Sequence, residues 1–86
     1  MTEVIKFYAD WCGPCKLYAK AFNTVAEELK DEVKFQNIDI ETDTSGLAGE
    51  HKVTSIPTTV IIKEGVTITK IGRLDEQELK RIILSE

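Results

Sequence analysis

The feature that most constrains this 86-residue chain is a pair of cysteines, Cys12 and Cys15, where an apolar run meets an amphipathic segment. The apolar run, residues 4–8, predicts a short strand, and helical spacing of apolar residues predicts a helix over residues 14–30. Pro14 is compatible with the first turn of that helix, because the amides there have no partner within the helix. The sequence therefore places both cysteines at a helix N-terminus.

This position favours a reactive thiol at Cys12. The unpaired N–H groups and the positive end of the helix dipole point at its sulfur and stabilise a thiolate, which is the form that attacks disulfides. Cys15 follows one helical turn later, on the same side, and can close a four-residue disulfide ring with Cys12. The pair thus predicts thiol–disulfide exchange.

The string Trp11-Cys12-Gly13-Pro14-Cys15-Lys16, preceded by an aromatic-rich strand, resembles the active-site motif of the thioredoxin family. The resemblance implies an α/β, thioredoxin-like fold, with a four-stranded mixed sheet flanked by helices on both faces in the order β-α-β-α-β-β-α. It predicts a single domain over residues 1–86. The chain is expected to be a short, minimal member without the N-terminal strand and helix of longer thioredoxins.

A second string, Ile56-Pro57-Thr58, matches the place where this family has a cis proline against the cysteine pair. A proline there leaves the neighbouring backbone free to bond an extended substrate peptide. Gly72 matches a family glycine beside the active site. The resemblance implies a flat, apolar docking surface made of Trp11, Gly13, Pro14, Ile56, Pro57 and Gly72.

Sequence patterns also predict the remaining elements. A strand is expected over residues 33–40, and a weak helix over residues 44–52 with Asp43 or Thr44 as its cap. Two β-branched runs joined by Glu64-Gly65 predict an antiparallel hairpin, and Asp75 is expected to cap the last helix.

The function implied by the resemblance is reduction of protein disulfides, with Cys12 as the attacking and Cys15 as the resolving thiol. No cofactor is needed beyond the Cys12–Cys15 disulfide, and a flavin-dependent thioredoxin reductase is the expected partner of a monomeric, cytoplasmic protein. The net charge of −4 gives no basic patch for nucleic acid, and no apolar run is long enough for a membrane span.

Two other classes of protein remain open. A metal-binding module would use both cysteines and the sole histidine, His51, but these make three ligands where a closed zinc site has four. Two chains could share a metal or an iron–sulfur cluster. A redox-inert interaction domain is the other class, and the presence of both cysteines argues against it. His51 itself fits a general base, a metal ligand or a simple helix-end residue.

Lys6 departs from the family pattern, because thioredoxins usually hold a buried acid at this position. It shares a strand face with Val4 and Tyr8, opposite Ile5 and Phe7. Its ammonium either reaches water over a buried stem or lies close enough to the cysteine pair to lower a thiol pKa. The sequence therefore leaves both roles open for Lys6, a structural one and tuning of the cysteine pair.

Overall fold

The computed structural model describes residues 1–85, with seven elements in the predicted β-α-β-α-β-β-α order. The strands are β1 (Thr2–Tyr8), β2 (Val33–Asp39), β3 (Thr58–Lys63) and β4 (Val66–Ile71), and the helices are α1 (Gly13–Leu29), α2 (Leu47–Glu50) and α3 (Glu76–Leu84). None of the helices in residues 1–85 combines the length and apolar content needed to cross a bilayer.

The four strands form one mixed sheet in the order β2-β1-β3-β4. The β1–β2 pair is parallel, whereas β3 is antiparallel to both β1 and β4. Phe7, near the end of the central strand β1, is opposite Ile38 on one side and Thr58 on the other. The carboxyl end of β1, which leads into the cysteine loop, is therefore held between two neighbours.

Helices lie on both faces of this sheet, as predicted, and each face has its own core. Apolar side chains of α1 and α3 cover the face that carries Val4: Tyr18, Phe22, Val25, Leu79, Ile82 and Ile83. The opposite face carries Ile5 and Phe7, packed with Ile38 and Val60 and partly covered by residues of α2 and the following loop. The period-two alternation of β1 thus divides its side chains between the two cores.

Helix α2 is shorter than predicted, because it spans Leu47–Glu50 rather than residues 44–52. Its N-cap residue is Gly46, which has a left-handed φ of 80° and no side chain to cap the helix. The Asp43 carboxylate still accepts the N–H of Ala48 (3.3 Å), in the first turn of α2, and the N–H of Ser45 (2.8 Å). The expected acidic cap therefore acts from a preceding turn and not from the N-cap position.

Local signals elsewhere identified the chain reversals correctly. Glu64 and Gly65 both have positive φ, 47° and 83°, as a two-residue hairpin between β3 and β4 requires. Asp75 is the N-cap of α3, and its Oδ1 accepts the N–H of Glu78 at 2.8 Å. Helix α3 then packs with α1 on the same face of the sheet.

Candidate active site

Cys12 is the N-cap residue of α1, with extended backbone angles (φ −87°, ψ 109°). Its N–H donates to the carbonyl oxygen of Ala9 at 3.1 Å, which closes the loop after β1. Its own carbonyl accepts the N–H of Lys16 at 3.2 Å, the first hydrogen bond of the helix. Pro14 lies in the first turn, where it removes an N–H that would have no helical partner.

The two cysteines form a disulfide, and their Cα atoms lie 5.2 Å apart. The Sγ atom of Cys12 also accepts the N–H of Cys15 at 3.2 Å. An N–H that reaches the sulfur at a helix N-terminus favours the negatively charged form once the disulfide is reduced. Cys12 thus occupies a position that stabilises a thiolate.

Residue exposure does not distinguish the two cysteines, because Cys12 is 5% exposed and Cys15 is 3% exposed. They form a small apolar cluster with Ala9, against which Tyr8, Ile40 and Ile56 pack. Cys12 differs from Cys15 in its place at the N-cap and in its neighbour Trp11, whose side chain is 65% exposed. The two cysteines therefore differ in their position along the helix and not in their burial.

The structure brings part of the predicted docking set together. Gly13 and Pro14 are exposed beside Trp11, while Ile56 is half-buried against the cysteine cluster. The Ile56–Pro57 peptide bond is cis, as predicted. Pro57 is fully buried, so its side chain is not part of the exposed surface in this disulfide form.

Gly72 is joined to this region through the backbone. Its N–H donates to the carbonyl oxygen of Pro57 at 2.8 Å. Its φ of +95° lies in the left-handed region that favours glycine, and nothing lies within 4 Å of where a Cβ would be. The constraint on Gly72 is therefore conformational, and space for a side chain remains on its outer side.

Lys6 lies on the α1 face of β1, the face that carries Val4 and Tyr8. Only 4% of the residue is exposed, and its Nζ lies 4.7 Å from the ring centre of Phe22. A cleft of about 210 Å³ is lined by Lys6 and Cys15, together with Tyr8, Ala9, Asp10, Lys16 and Ala19. The structure therefore places Lys6 and the second cysteine on the walls of one cleft.

Sequence reasoning missed the aromatic surroundings of Lys6. Besides Phe22, the rings of Tyr8 and Tyr18 lie 5.5 and 5.9 Å from its Nζ. Tyr18 and Phe22 lie at helical spacing in the sequence, which is typical of core residues, but spacing along one helix does not tell which strand residue they face. The available signal was a combination of two patterns. The alternation of β1 places Lys6 on one face of the sheet, and the apolar face of α1 packs on that same face.

His51 caps the C-terminus of α2, as its helix-end interpretation predicted, and its ring centre lies 6.2 Å from that of Phe7. Within residues 1–85, no group of three or more His, Cys, Asp or Glu side chains is arranged to hold a metal ion. His51 and the cysteine pair therefore do not form a shared three-ligand site in the described chain.

Comparison with known proteins identifies the same family that the cysteine motif indicates. The family model described as Thioredoxin matches residues 1–85. The thioredoxin of Mycoplasmoides gallisepticum is 36% identical over 81 residues, which cover 93% of this chain and 79% of that protein. The thioredoxin of Bacillus subtilis is 33% identical over 78 residues, covering 90% of this chain and 74% of that protein.

A solved structure supports the fold independently. The crystal structure of chloroplastic thioredoxin z matches with a TM-score of 0.84 and 32% sequence identity. The match covers 96% of this chain and 75% of that one. The similarity thus extends over the whole sheet and its helices, well beyond the cysteine motif.

Proposed function

Because the chain belongs to the thioredoxin family and is a thiol–disulfide oxidoreductase, we propose that Cys12 is its attacking thiol and Cys15 its resolving thiol. The observation that supports this assignment is the N-cap position of Cys12, whose Sγ accepts the N–H of Cys15. Cys15 lies inside the first turn and has no such place at the helix end. The dipole and the free amides therefore favour ionisation of Cys12.

The cycle transfers two electrons and two protons to the substrate. The Cys12 thiolate attacks one sulfur of a substrate disulfide, so that a mixed disulfide forms and the other substrate sulfur leaves as a thiolate. Cys15 then loses its proton and attacks Cys12, which forms the Cys12–Cys15 disulfide and releases the second substrate sulfur. Both substrate thiolates take up protons, and the protein is left oxidised.

Insulin reduction with dithiothreitol tests the roles of the two cysteines. Cys12→Ser is expected to abolish reduction, because no thiolate remains at the helix end. Cys15→Ser is expected to attack once and to accumulate a mixed disulfide, detectable by mass spectrometry. Trapping of substrate on Cys15 in Cys12→Ser, with none trapped on Cys12 in Cys15→Ser, would reverse the assignment. Metal analysis of anaerobically purified protein checks the metal-sharing alternative separately.

We further propose that substrates dock on the surface formed by Trp11, Gly13, Pro14, Ile56, Pro57 and Gly72. The exposed indole of Trp11, adjacent to Cys12 in the chain, supports this proposal, since Trp combines a large apolar surface with an N–H donor and is enriched at interfaces. Ile56 would contribute its backbone to an extended peptide. Pro57 would act through its fixed backbone, since its carbonyl oxygen already accepts the N–H of Gly72.

The proposed partners are disulfide-containing proteins and a thioredoxin reductase that returns the pair to its dithiol form. We propose that the chain acts as one monomeric domain over residues 1–86, in the cytoplasm, where the prevailing thiol poise keeps it reduced. The Gly-Pro pair between the cysteines supports a reductant, because a histidine there would stabilise the thiolate and favour an oxidant. The cycle as written uses the two cysteines and no cofactor.

A further inference from the structure

Lys6 is the only charged residue in the described chain that is buried. No ion pair within residues 1–85 involves it, although the exposed Lys30 and Lys34 and the half-buried Lys80 all have carboxylate partners. Burial lowers the pKa of Lys6, because removal from water disfavours the ammonium. A buried cation without a carboxylate needs another source of stabilisation.

Three aromatic rings supply part of that stabilisation. The Nζ of Lys6 lies 4.7 Å from the ring centre of Phe22, 5.5 Å from that of Tyr8 and 5.9 Å from that of Tyr18. All three distances are within the range in which ring faces attract a cation, and the attraction grows as water is removed. The rings therefore oppose the effect of burial and help to keep Lys6 an ammonium.

Lys6, whose ammonium these rings contact, also lines the cleft that Cys15 lines. The other charged residues on the cleft wall, Asp10 and Lys16, have opposite signs and are both exposed, so water and salt screen them. The strand neighbours of Lys6 on β2 and β3, Asn37 and Thr59, carry no charge. Lys6 is thus the only buried charge facing the cleft within residues 1–85.

We propose that the Lys6 ammonium stabilises the thiolate of Cys15. This stabilisation favours the attack of Cys15 on the mixed disulfide, and it favours the reduced form of the protein over the disulfide form. This inference rests on the proposed role of Cys15 as the resolving thiol. Lys6 acts through the Cys15 sulfur and does not touch the substrate. The proton that Cys15 loses goes to solvent, since Lys6 is already protonated, and the Cys15 sulfur then bonds to Cys12 as the substrate sulfur departs.

The first test isolates the Cys15 thiol. The sequence contains two cysteines, so Cys12→Ser leaves Cys15 as the sole thiol, and its thiolate absorbance is titrated directly in the ultraviolet. Adding Lys6→Met keeps an unbranched apolar stem of nearly the same length and removes the charge. We expect the Cys15 pKa to rise by about one unit, a tenfold loss of thiolate stability, because an opposite charge nearby lowers a pKa by about 1–3 units.

The matched control is Lys20→Met in the same Cys12→Ser background. Lys20 is exposed on α1, so this variant changes the net charge equally but removes no buried cation. The Cys15 pKa should then stay at its value in Cys12→Ser. An unchanged Cys15 pKa in Lys6→Met, or an equal rise in both variants, would overturn the proposal.

In the two-cysteine protein, the reduction potential gives a second readout. At a pH above the thiol pKa of both proteins, Lys6→Met should be more reducing by about 30 mV, which corresponds to the same tenfold change for a two-electron couple. A potential that is unchanged or less negative would contradict the proposal. Insulin reduction by the unmodified protein tests the proposed function separately, so failure of the Lys6 role would not be confused with loss of that function.

A reciprocal measurement needs no substitution at Lys6 and remains available if Lys6→Met does not fold. If the ammonium stabilises the thiolate, the thiolate stabilises the ammonium by the same free energy. The pKa of Lys6, followed by NMR at its Cε and Nζ, should therefore be higher in Cys12→Ser than in Cys12→Ser/Cys15→Ser. Equal Lys6 pKa values in these two proteins would refute the coupling.

Discussion

The hydrogen bond between Tyr18 and Thr59 joins α1 to the centre of the sheet. The hydroxyl oxygens lie 2.7 Å apart, and the two residues are 1% and 0% exposed. Tyr18→Phe leaves a buried hydroxyl of Thr59 without this partner, so we expect the free energy of unfolding to fall by about 1–3 kcal/mol. Thr59→Val leaves the buried Tyr18 hydroxyl without this partner, and it should lower the free energy of unfolding by a similar amount.

The double variant makes the prediction specific. Tyr18→Phe/Thr59→Val removes both polar groups together, and replacing both partners by apolar groups costs little. The sum of the losses of unfolding free energy in the two single variants should therefore exceed the loss in the double variant. The difference, which is the coupling energy, should be about 1 kcal/mol. Urea unfolding of the four proteins, all kept in the disulfide form, measures this cycle. Additive losses would show that the two hydroxyls do not interact.

The same hydroxyl gives a pH-dependent signature. Burial raises the pKa of Tyr18 to about 12, and the hydrogen bond with Thr59 partly offsets that rise. Its stabilising contribution is complete below the unfolded pKa of about 10 and is lost as the pH rises to 12, because the unfolded chain ionises first. Two pKa units correspond to about 3 kcal/mol. The stability advantage over Tyr18→Phe should therefore vanish by about pH 12, and a constant difference from neutral pH to pH 12 would refute the assignment.

Two further predictions use Leu17→Ala as a common control, since Leu17 on α1 is 65% exposed. Leu79→Ala, at a fully buried α3 position, should lower the free energy of unfolding by about 2–5 kcal/mol, whereas Leu17→Ala should change it by less than about 0.5 kcal/mol. Trp11→Ala should raise the KM for insulin about tenfold and leave reduction of a small disulfide unchanged, because the proposed docking surface loses its exposed indole. Equal costs for both leucines, or an equal rise in KM for Leu17→Ala and Trp11→Ala, would contradict these two predictions.

The sequence by itself determined the features that depend on near neighbours along the chain. Pro14 and the cysteine spacing predicted a helix beginning beside Cys12, and that residue is the N-cap of α1. Glu64-Gly65 predicted the hairpin, and Asp75 the cap of α3. These features follow from dihedral preferences and hydrogen bonds that span at most four residues, so a single stretch of sequence contains the whole signal.

The resemblance to the thioredoxin family predicted a feature that the local sequence alone does not indicate. Ser-Ile-Pro by itself indicates a turn before a strand, whereas the family motif predicted the cis bond at Pro57 that the structure has. Local signals were weakest at α2, where the expected helix over residues 44–52 shrank to one turn. Two glycines within that stretch, Gly46 and Gly49, weaken the helix, and the Asp43 side chain instead stabilises the turn before it.

Only the tertiary structure decided what surrounds each buried polar group. Tyr18 and Thr59 are 41 residues apart in the chain, and their hydrogen bond exists because α1 lies across β3. The surroundings of Lys6 have the same origin: period two on β1 predicted its face, but the packing of α1 placed Phe22 over its ammonium and Cys15 on the same cleft. Such contacts depend on where a helix crosses a sheet, and that position is set by the fit of many side chains at once.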